Sequence, residues 1–246
     1  MKKYGLIGRR LGHSWSQRWF EELFASLGLE DYSYRLYELP SVEGMKEWVL
    51  REGLSGFNVT VPYKMEIIPH LDALDAEAEA IGAVNCVSVE RGRLVGHNTD
   101  APAFQQTIEA FPSPSQAFIL GTGGGAKAVA HTLHRMDIPH TFISRSPNLH
   151  SNAIGYDQLH TLLSPCSTLI VNATPIGMYP DDGKTPLNLS SIRIPLSDFL
   201  FYDLIYNPSP TLFLHQASVH GARVKNGLEM LHRQADLSWK IWKSKN

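Results

Sequence analysis

The sequence predicts an α/β protein built on parallel sheets, and three observations carry that prediction. Strand-like and helix-like segments alternate from one end of the chain to the other. One apolar strand, QAFIL, runs directly into a glycine loop and a helical pattern in GTGGGAKAVAHTLHRM. The chain has 246 residues, 43% apolar and 19% charged, enough for one large or two medium domains with real cores.

In chain order, KYGLIG is a short apolar strand. After Ser16, residues Trp19, Phe20, Leu23, Phe24 and Leu27 fall on one helical stripe, and Gly28 supplies the stop. YSYRLYEL reads as the second strand, EGMKEWVLRE as the second helix and GFNVTVP as the third strand. Alternation along that third strand puts Asn58 and Thr60 on one face. Pro62 then stops the ladder and Lys64 follows at once. An amide, a hydroxyl and an amine at one strand end make either a solvated outer edge or a binding site. Two short helices lead to Gly82, and NCVSVERGRLVGHNT reads as a hairpin turning at Arg91-Gly92.

Around Asp100 the character changes. APAFQQTIEAF is helical, and Pro112 and Pro114 break the chain before the glycine segment. Strands follow at HTFIS, STLIVNA, FLFYDL and ARVK, with helical stretches between most of them. A last helix runs from about Leu228 to Trp242 with apolar Leu231, Leu237, Ile241 and Trp242, and its expected place is back against the first domain. The expected division is residues 1–99 with the helix 228–246 as one domain, and 100–227 as the other.

Composition removes several function classes. Lys and Arg number 22 against 24 Asp and Glu, so there is no basic excess for nucleic acid. Cys86 and Cys166 stand without a C-x-x-C or paired-His spacing, against a disulfide framework or zinc site and for a reducing compartment. The basic start, MKKYGLIGRRLGHSW, has too short an apolar run for a signal peptide. The long uncharged stretch from Gln158 to Pro180 is broken by Pro, Asn and Ser and cannot span a membrane. The expectation is a soluble, cytoplasmic protein without metal, nucleic-acid or membrane partners.

The glycine loop carries the first chemistry. In LGTGGGAKA, Gly121, Gly123 and Ala126 occupy the three positions of G-x-G-x-x-G/A, with Thr122, Gly124 and Gly125 between them. Gly121 permits the tight turn, Gly123 lets a pyrophosphate approach the backbone, and Ala126 keeps the helix close to its strand. No G-K-[ST] closes the pattern, so it is no P-loop. At the end of the next strand an NAD site places an acid for the ribose hydroxyl. This chain has FISRSP there, so Arg145 can pair with a 2′-phosphate while Ser144 and Ser146 donate to it, which selects NADP.

With these segments in place, the sequence resembles the shikimate dehydrogenase family, and the match covers nearly the whole chain in order. The motifs are GLIG and HSWS at 5–16, NVTVPYK at 58–64, IGAVN at 81–85 and NTD at 98–100. They continue with GTGGGAKA, SRS, NATPIGM at 172–178, YDLIYNPSPT at 202–211 and NGLEMLHRQA at 226–235. The resemblance implies reduction of 3-dehydroshikimate to shikimate with NADPH, in a cleft between an N-terminal substrate domain and a Rossmann domain. It implies Lys64 as proton donor and acceptor, paired with Asp100. Ser14, Ser16, Asn58, Thr60, Asn85, Tyr206 and Gln234 match positions that bind the ring hydroxyls or carboxylate. Asn172, Ala173, Thr174, Leu204 and Gly227 match positions that close on the cofactor. The partner is thus a small molecule, and the protein is a monomer or a homodimer. A quinate or dual quinate/shikimate dehydrogenase shares these motifs, and a non-catalytic NADP-binding regulator shares the scaffold. Three places depart from the family pattern. IGRRLGHSWSQ lacks its prolines, NTDAPAF lacks glycines after the aspartate, and SRSPNLH has a single arginine.

Overall fold

Tyr4, Leu6 and Ile7 decide how the first sheet is dressed. They lie on β1 (Lys2–Gly8), where successive side chains point to opposite faces. Tyr4 and Leu6 join one core cluster and Ile7 another. The computed structural model describes residues 1–246 except 13, 150–151, 165, 190–193 and 246. It falls into two units, Met1–Asp100 with Arg233–Asn246, and Ala101–His232.

In the first unit β1 pairs in parallel with β2 (Tyr32–Glu38) and β3 (Leu54–Val59). The next strands are β4 (Ala73–Leu74), β5 (Cys86–Glu90) and β6 (Arg93–His97). β5 runs antiparallel to both β3 and β6, and β4 adds to β6 in parallel. The sheet order is β2-β1-β3-β5-β6-β4, so this sheet is mixed, whereas the alternation of segments predicts a parallel one. The expected hairpin explains the difference: Arg91 and Gly92 both adopt positive φ, the geometry of a tight two-residue turn. Two-residue β4 leaves no period in the sequence.

One face of the sheet is covered by α1 (Trp15–Ser26) and the end of α9 (Leu228–Lys245). Phe20, Phe24, Tyr34 and Trp242 meet there, with Phe20 stacked on Tyr34 at 4.2 Å between centroids. Burying an aromatic of this size stabilises by about 1.5–3 kcal/mol. The Trp242 indole also donates to the Val87 carbonyl at 2.9 Å. Gly56 permits this approach, since a Cβ there would sit 2.5 Å from the indole nitrogen. Leu27 does not join the stripe: α1 ends at Ser26 and Leu27 is half-exposed, because Gly28 takes up positive φ and turns the chain away. The other face is packed by α2 (Met45–Glu52), α3 (Tyr63–Glu66) and α4 (Ala76–Ile81) through Met45, Val49, Tyr63 and Ala78.

Among the described residues of the second unit every pairing is parallel. The strands are β7 (Gln116–Leu120), β8 (His140–Ile143), β9 (Ala153–Ile154), β10 (Thr168–Asn172), β11 (Phe199–Asp203) and β12 (Arg223–Lys225). Their order, β12-β11-β10-β7-β8-β9, places the first strand β7 beside the fourth, β10. That is the doubly wound dinucleotide-binding order, with its topological switch point between those two strands. α5 (Asp100–Ile108), α6 (Gly124–Arg135), α7 (Tyr156–Leu162) and α8 (Leu212–Val219) complete the connections. β9 is again a two-residue strand that the sequence pattern does not show.

Candidate active site

Lys64 is held by its backbone before its side chain does anything. β3 stops at Val59, one residue short of Thr60, although the Thr60 N–H still donates to the Ile7 carbonyl at 2.9 Å. Pro62 then caps α3, a place where its missing N–H removes no helical hydrogen bond. Lys64 therefore sits on a single helical turn, the first of the two short helices expected before Gly82. Buried Tyr63 anchors that turn by donating to the Leu39 carbonyl at 2.6 Å, and the Lys64 carbonyl accepts from the Val84 N–H at 2.7 Å.

From this support the Lys64 ammonium donates to Asp100 Oδ2 at 2.6 Å, with the two side chains 17% and 6% exposed. The other carboxylate oxygen accepts from Asn85 Nδ2 at 2.9 Å. Asn85 is fixed in turn: its oxygen accepts from the Thr99 N–H at 2.7 Å, and its nitrogen also faces Thr99 Oγ1 at 2.9 Å. Gln234 Oε1 lies 3.5 Å from the same nitrogen. The Asp100 N–H donates to Asn98 Oδ1 at 3.0 Å, and α5 starts at Asp100 itself, one residue earlier than its sequence pattern suggests. Removing either member of such a half-buried ion pair leaves an uncompensated charge.

Asn58, expected among the groups that bind the ring hydroxyls or carboxylate, is buried at the end of β3. Its amide nitrogen donates to the Asn85 carbonyl at 3.1 Å and to Ser238 Oγ at 2.8 Å, and its oxygen accepts from Tyr34 at 2.9 Å. These bonds tie β3 to Tyr34, the Asn85 backbone and Ser238. Ser14 and Ser16 do not both precede α1: Ser14 is its N-cap, accepting from the Ser16 N–H at 3.3 Å, and Ser16 lies within the first turn. His13 of the same motif lies outside the described residues. Glu38 orients the approach to this turn, accepting from the Leu11 and Gly12 N–H groups, which hold its carboxyl below the usual range. Burial pushes the Cys86 thiol up to about 12, so it supplies no thiolate. Among the described residues no group of His, Cys, Asp or Glu could hold a metal ion.

In the second unit the cofactor candidates gather around the glycine loop. Gly121 follows β7 with φ +101°, a conformation that favours glycine, and a Cβ there would lie 2.9 Å from the Thr174 methyl. Ala173 flanks the same glycine. Gly123 caps α6, and nothing lies within 4 Å of where its Cβ would point, which leaves an open cradle at the helix N-terminus. Thr122 and Gly124 are its half-buried neighbours, and buried Ala126 packs inward. Gly125 faces Leu204, and buried Gly227 packs on the Leu204 backbone. Asn172 fixes the β10 end: its oxygen accepts from the N–H and hydroxyl of Thr174 at 3.0 and 2.7 Å. Ser144 is buried and accepts from the Ser146 N–H at 3.1 Å, while Arg145 is exposed just beyond β8. Half-buried Tyr206 follows β11. An open cradle, a left-handed glycine and a cation at the second strand fit a dinucleotide with a 2′-phosphate.

Sequence reasoning did not single out Thr99, Ser238 or Asp203. Ser238 had a usable signal, since it lies four residues after Gln234 and so on the same helical face.

The chain is similar to known proteins along its whole length. Residues 6–87 match the shikimate dehydrogenase substrate binding domain. A shikimate dehydrogenase (NADP(+)) from Shouchella clausii is 34% identical over 98% of this chain and 92% of its own length. Among solved structures, shikimate dehydrogenase 1 from Peptoclostridium difficile aligns with TM-score 0.89 and 34% identity, over 100% of this chain and 93% of that one. Shikimate 5-dehydrogenase from Thermus thermophilus, in complex with NADP(H) and shikimate, aligns with TM-score 0.86 and 32% identity, over 99% and 94%. By its sequence, its two sheets and its near-complete coverage of these relatives, the chain belongs to the shikimate dehydrogenase family.

Proposed function

We propose that this protein is an NADP-dependent shikimate dehydrogenase in which Lys64 and Asp100 handle the proton. The observation that carries this reading is the 2.6 Å bond between a half-buried ammonium and a carboxylate fixed by Asn85. NADPH, when bound, supplies hydride to the ketone carbon of 3-dehydroshikimate. The alkoxide left on oxygen needs a proton, and Lys64 donates it. Asp100 holds the ammonium in place and balances its charge, and its second oxygen is kept in register by Asn85. In the oxidative direction Lys64 takes the hydroxyl proton back.

The remaining polar groups suit a small polyol acid. Ser14 and Ser16, at the start of α1, offer hydroxyls and a helix N-terminus to a carboxylate. Asn58, Thr60, Gln234 and Tyr206 supply further hydroxyl and amide groups, and Asn85 holds Asp100 through its nitrogen while its oxygen keeps a lone pair for a substrate hydroxyl. Gly121 to Ala126 take the pyrophosphate, Asn172 to Thr174, Leu204 and Gly227 line the cofactor, and Ser144 to Ser146 select the 2′-phosphate. The place in metabolism is the shikimate step of aromatic amino-acid biosynthesis. Two free cysteines agree with a reducing, cytoplasmic compartment.

The test is to follow NADPH oxidation with 3-dehydroshikimate, then with 3-dehydroquinate, then with NADH in place of NADPH. The expected order of specificity constants puts 3-dehydroshikimate with NADPH first. Faster turnover of 3-dehydroquinate would reassign the substrate, and no turnover of either would leave only cofactor binding.

A further inference from the structure

Asp203 is a fully buried carboxylate with no part in the proton transfer. It ends β11 and accepts three hydrogen bonds from three separate segments. One comes from Asn172 Nδ2 at the end of β10, 3.0 Å away, and one from the Ile205 N–H beyond β11, also at 3.0 Å. The third comes from Thr211 Oγ1, on the N-cap residue of α8, at 2.7 Å.

Through these bonds the carboxylate reaches the cofactor candidates. Asn172, held by Asp203, itself holds Thr174 against Gly121. Leu204, the next residue, faces Gly125, and the Ile205 carbonyl accepts from the Gly227 N–H at 3.1 Å. None of the three donors is charged. Burial pushes the carboxyl up to about 6, against the pull of Thr211, Ile205 and Asn172.

We propose that ionised Asp203 is the positioning residue of the dinucleotide site, tying the β10 end, the β11 turn and the α8 cap into one acceptor-centred junction. The proposal rests on the reading of the glycine loop as a cofactor site. The ionised form accepts from all three donors, whereas the protonated form must turn one oxygen into a donor. Asp203→Asn imitates that protonated form.

The experiment measures the NADPH Kd of wild type, Asp203→Asn and Thr211→Val by protein fluorescence from pH 5 to 8, with urea unfolding of each. At neutral pH Asp203→Asn is expected to bind roughly ten- to hundred-fold more weakly, and Thr211→Val to weaken binding by less. The ratio of mutant to wild-type Kd should fall towards one as pH drops through about 6. The cofactor's own 2′-phosphate titrates alike in both and cancels from the ratio. A folded Asp203→Asn that binds as wild type does, or a ratio independent of pH, would overturn the proposal. If Asp203→Asn fails to fold, an unchanged Kd in Thr211→Val overturns it and a weakened one supports it. A wild type that binds no NADPH would overturn the cofactor reading together with this one.

Discussion

The two candidate clusters are built on opposite principles. In the first unit the chemistry lies in side chains drawn from distant parts of the chain: Lys64, Asn85, Asp100 and Gln234 meet within one hydrogen-bonded group. In the second it lies in backbone shape, with Gly121 in a left-handed conformation and Gly123 open at a helix N-terminus. Proton transfer needs a specific group at a specific atom. Anion binding needs N–H groups and room, which glycine supplies by having no side chain. Substitutions should therefore separate the two clusters cleanly.

The largest effect on the backbone side is expected at Gly121→Val. A β-branched residue at φ +101° is strained, and its Cβ would press on Thr174. Strain of about 1–2 kcal/mol with overpacking of about 1–3 kcal/mol predicts NADPH binding weaker on the order of a hundred-fold. Shikimate binding, measured without cofactor, should be unchanged; a loss of both ligands would break the separation.

Arg145→Ala comes next. One charge-assisted contact to a 2′-phosphate is worth roughly 1.5–3 kcal/mol, about ten- to hundred-fold in NADP affinity, with NAD nearly untouched. Specificity constants for both cofactors check this. An equal loss for the two, or a wild type that prefers NAD, would remove Arg145 from the site.

The smallest effect is expected at Ser14→Ala. Loss of the N-cap of α1 costs about 1 kcal/mol, visible as a lower urea midpoint. The Michaelis constant for shikimate should also rise while turnover holds. Methyl shikimate, which lacks the carboxylate charge, should discriminate less between the two proteins; equal discrimination would move the carboxylate elsewhere.

How much of this was legible follows from what each feature leaves in the sequence. The α/β class was readable because strands such as QAFIL form a continuous apolar run and helices such as α6 are long enough to show a period. β4 and β9, at two residues, show none. The mixed first sheet was half-visible: the turn at Arg91-Gly92 was plain, but not which strand the hairpin would join. The glycine loop was readable as chemistry because its geometry is local. The meeting of Lys64 with Asp100 is not local, and only the family resemblance pointed to it. Ser238 illustrates the remainder, since a buried polar group that braces a site and one that faces a ligand are spelled alike.

The most direct test of the division is Lys64→Met, with turnover and NADPH affinity measured on the same preparation. Methionine keeps much of the side-chain length and removes the proton. Turnover should fall by roughly 10²-fold or more with the NADPH Kd unchanged. Turnover within a few-fold of wild type, at an unchanged Kd, would contradict the assignment of the proton to Lys64.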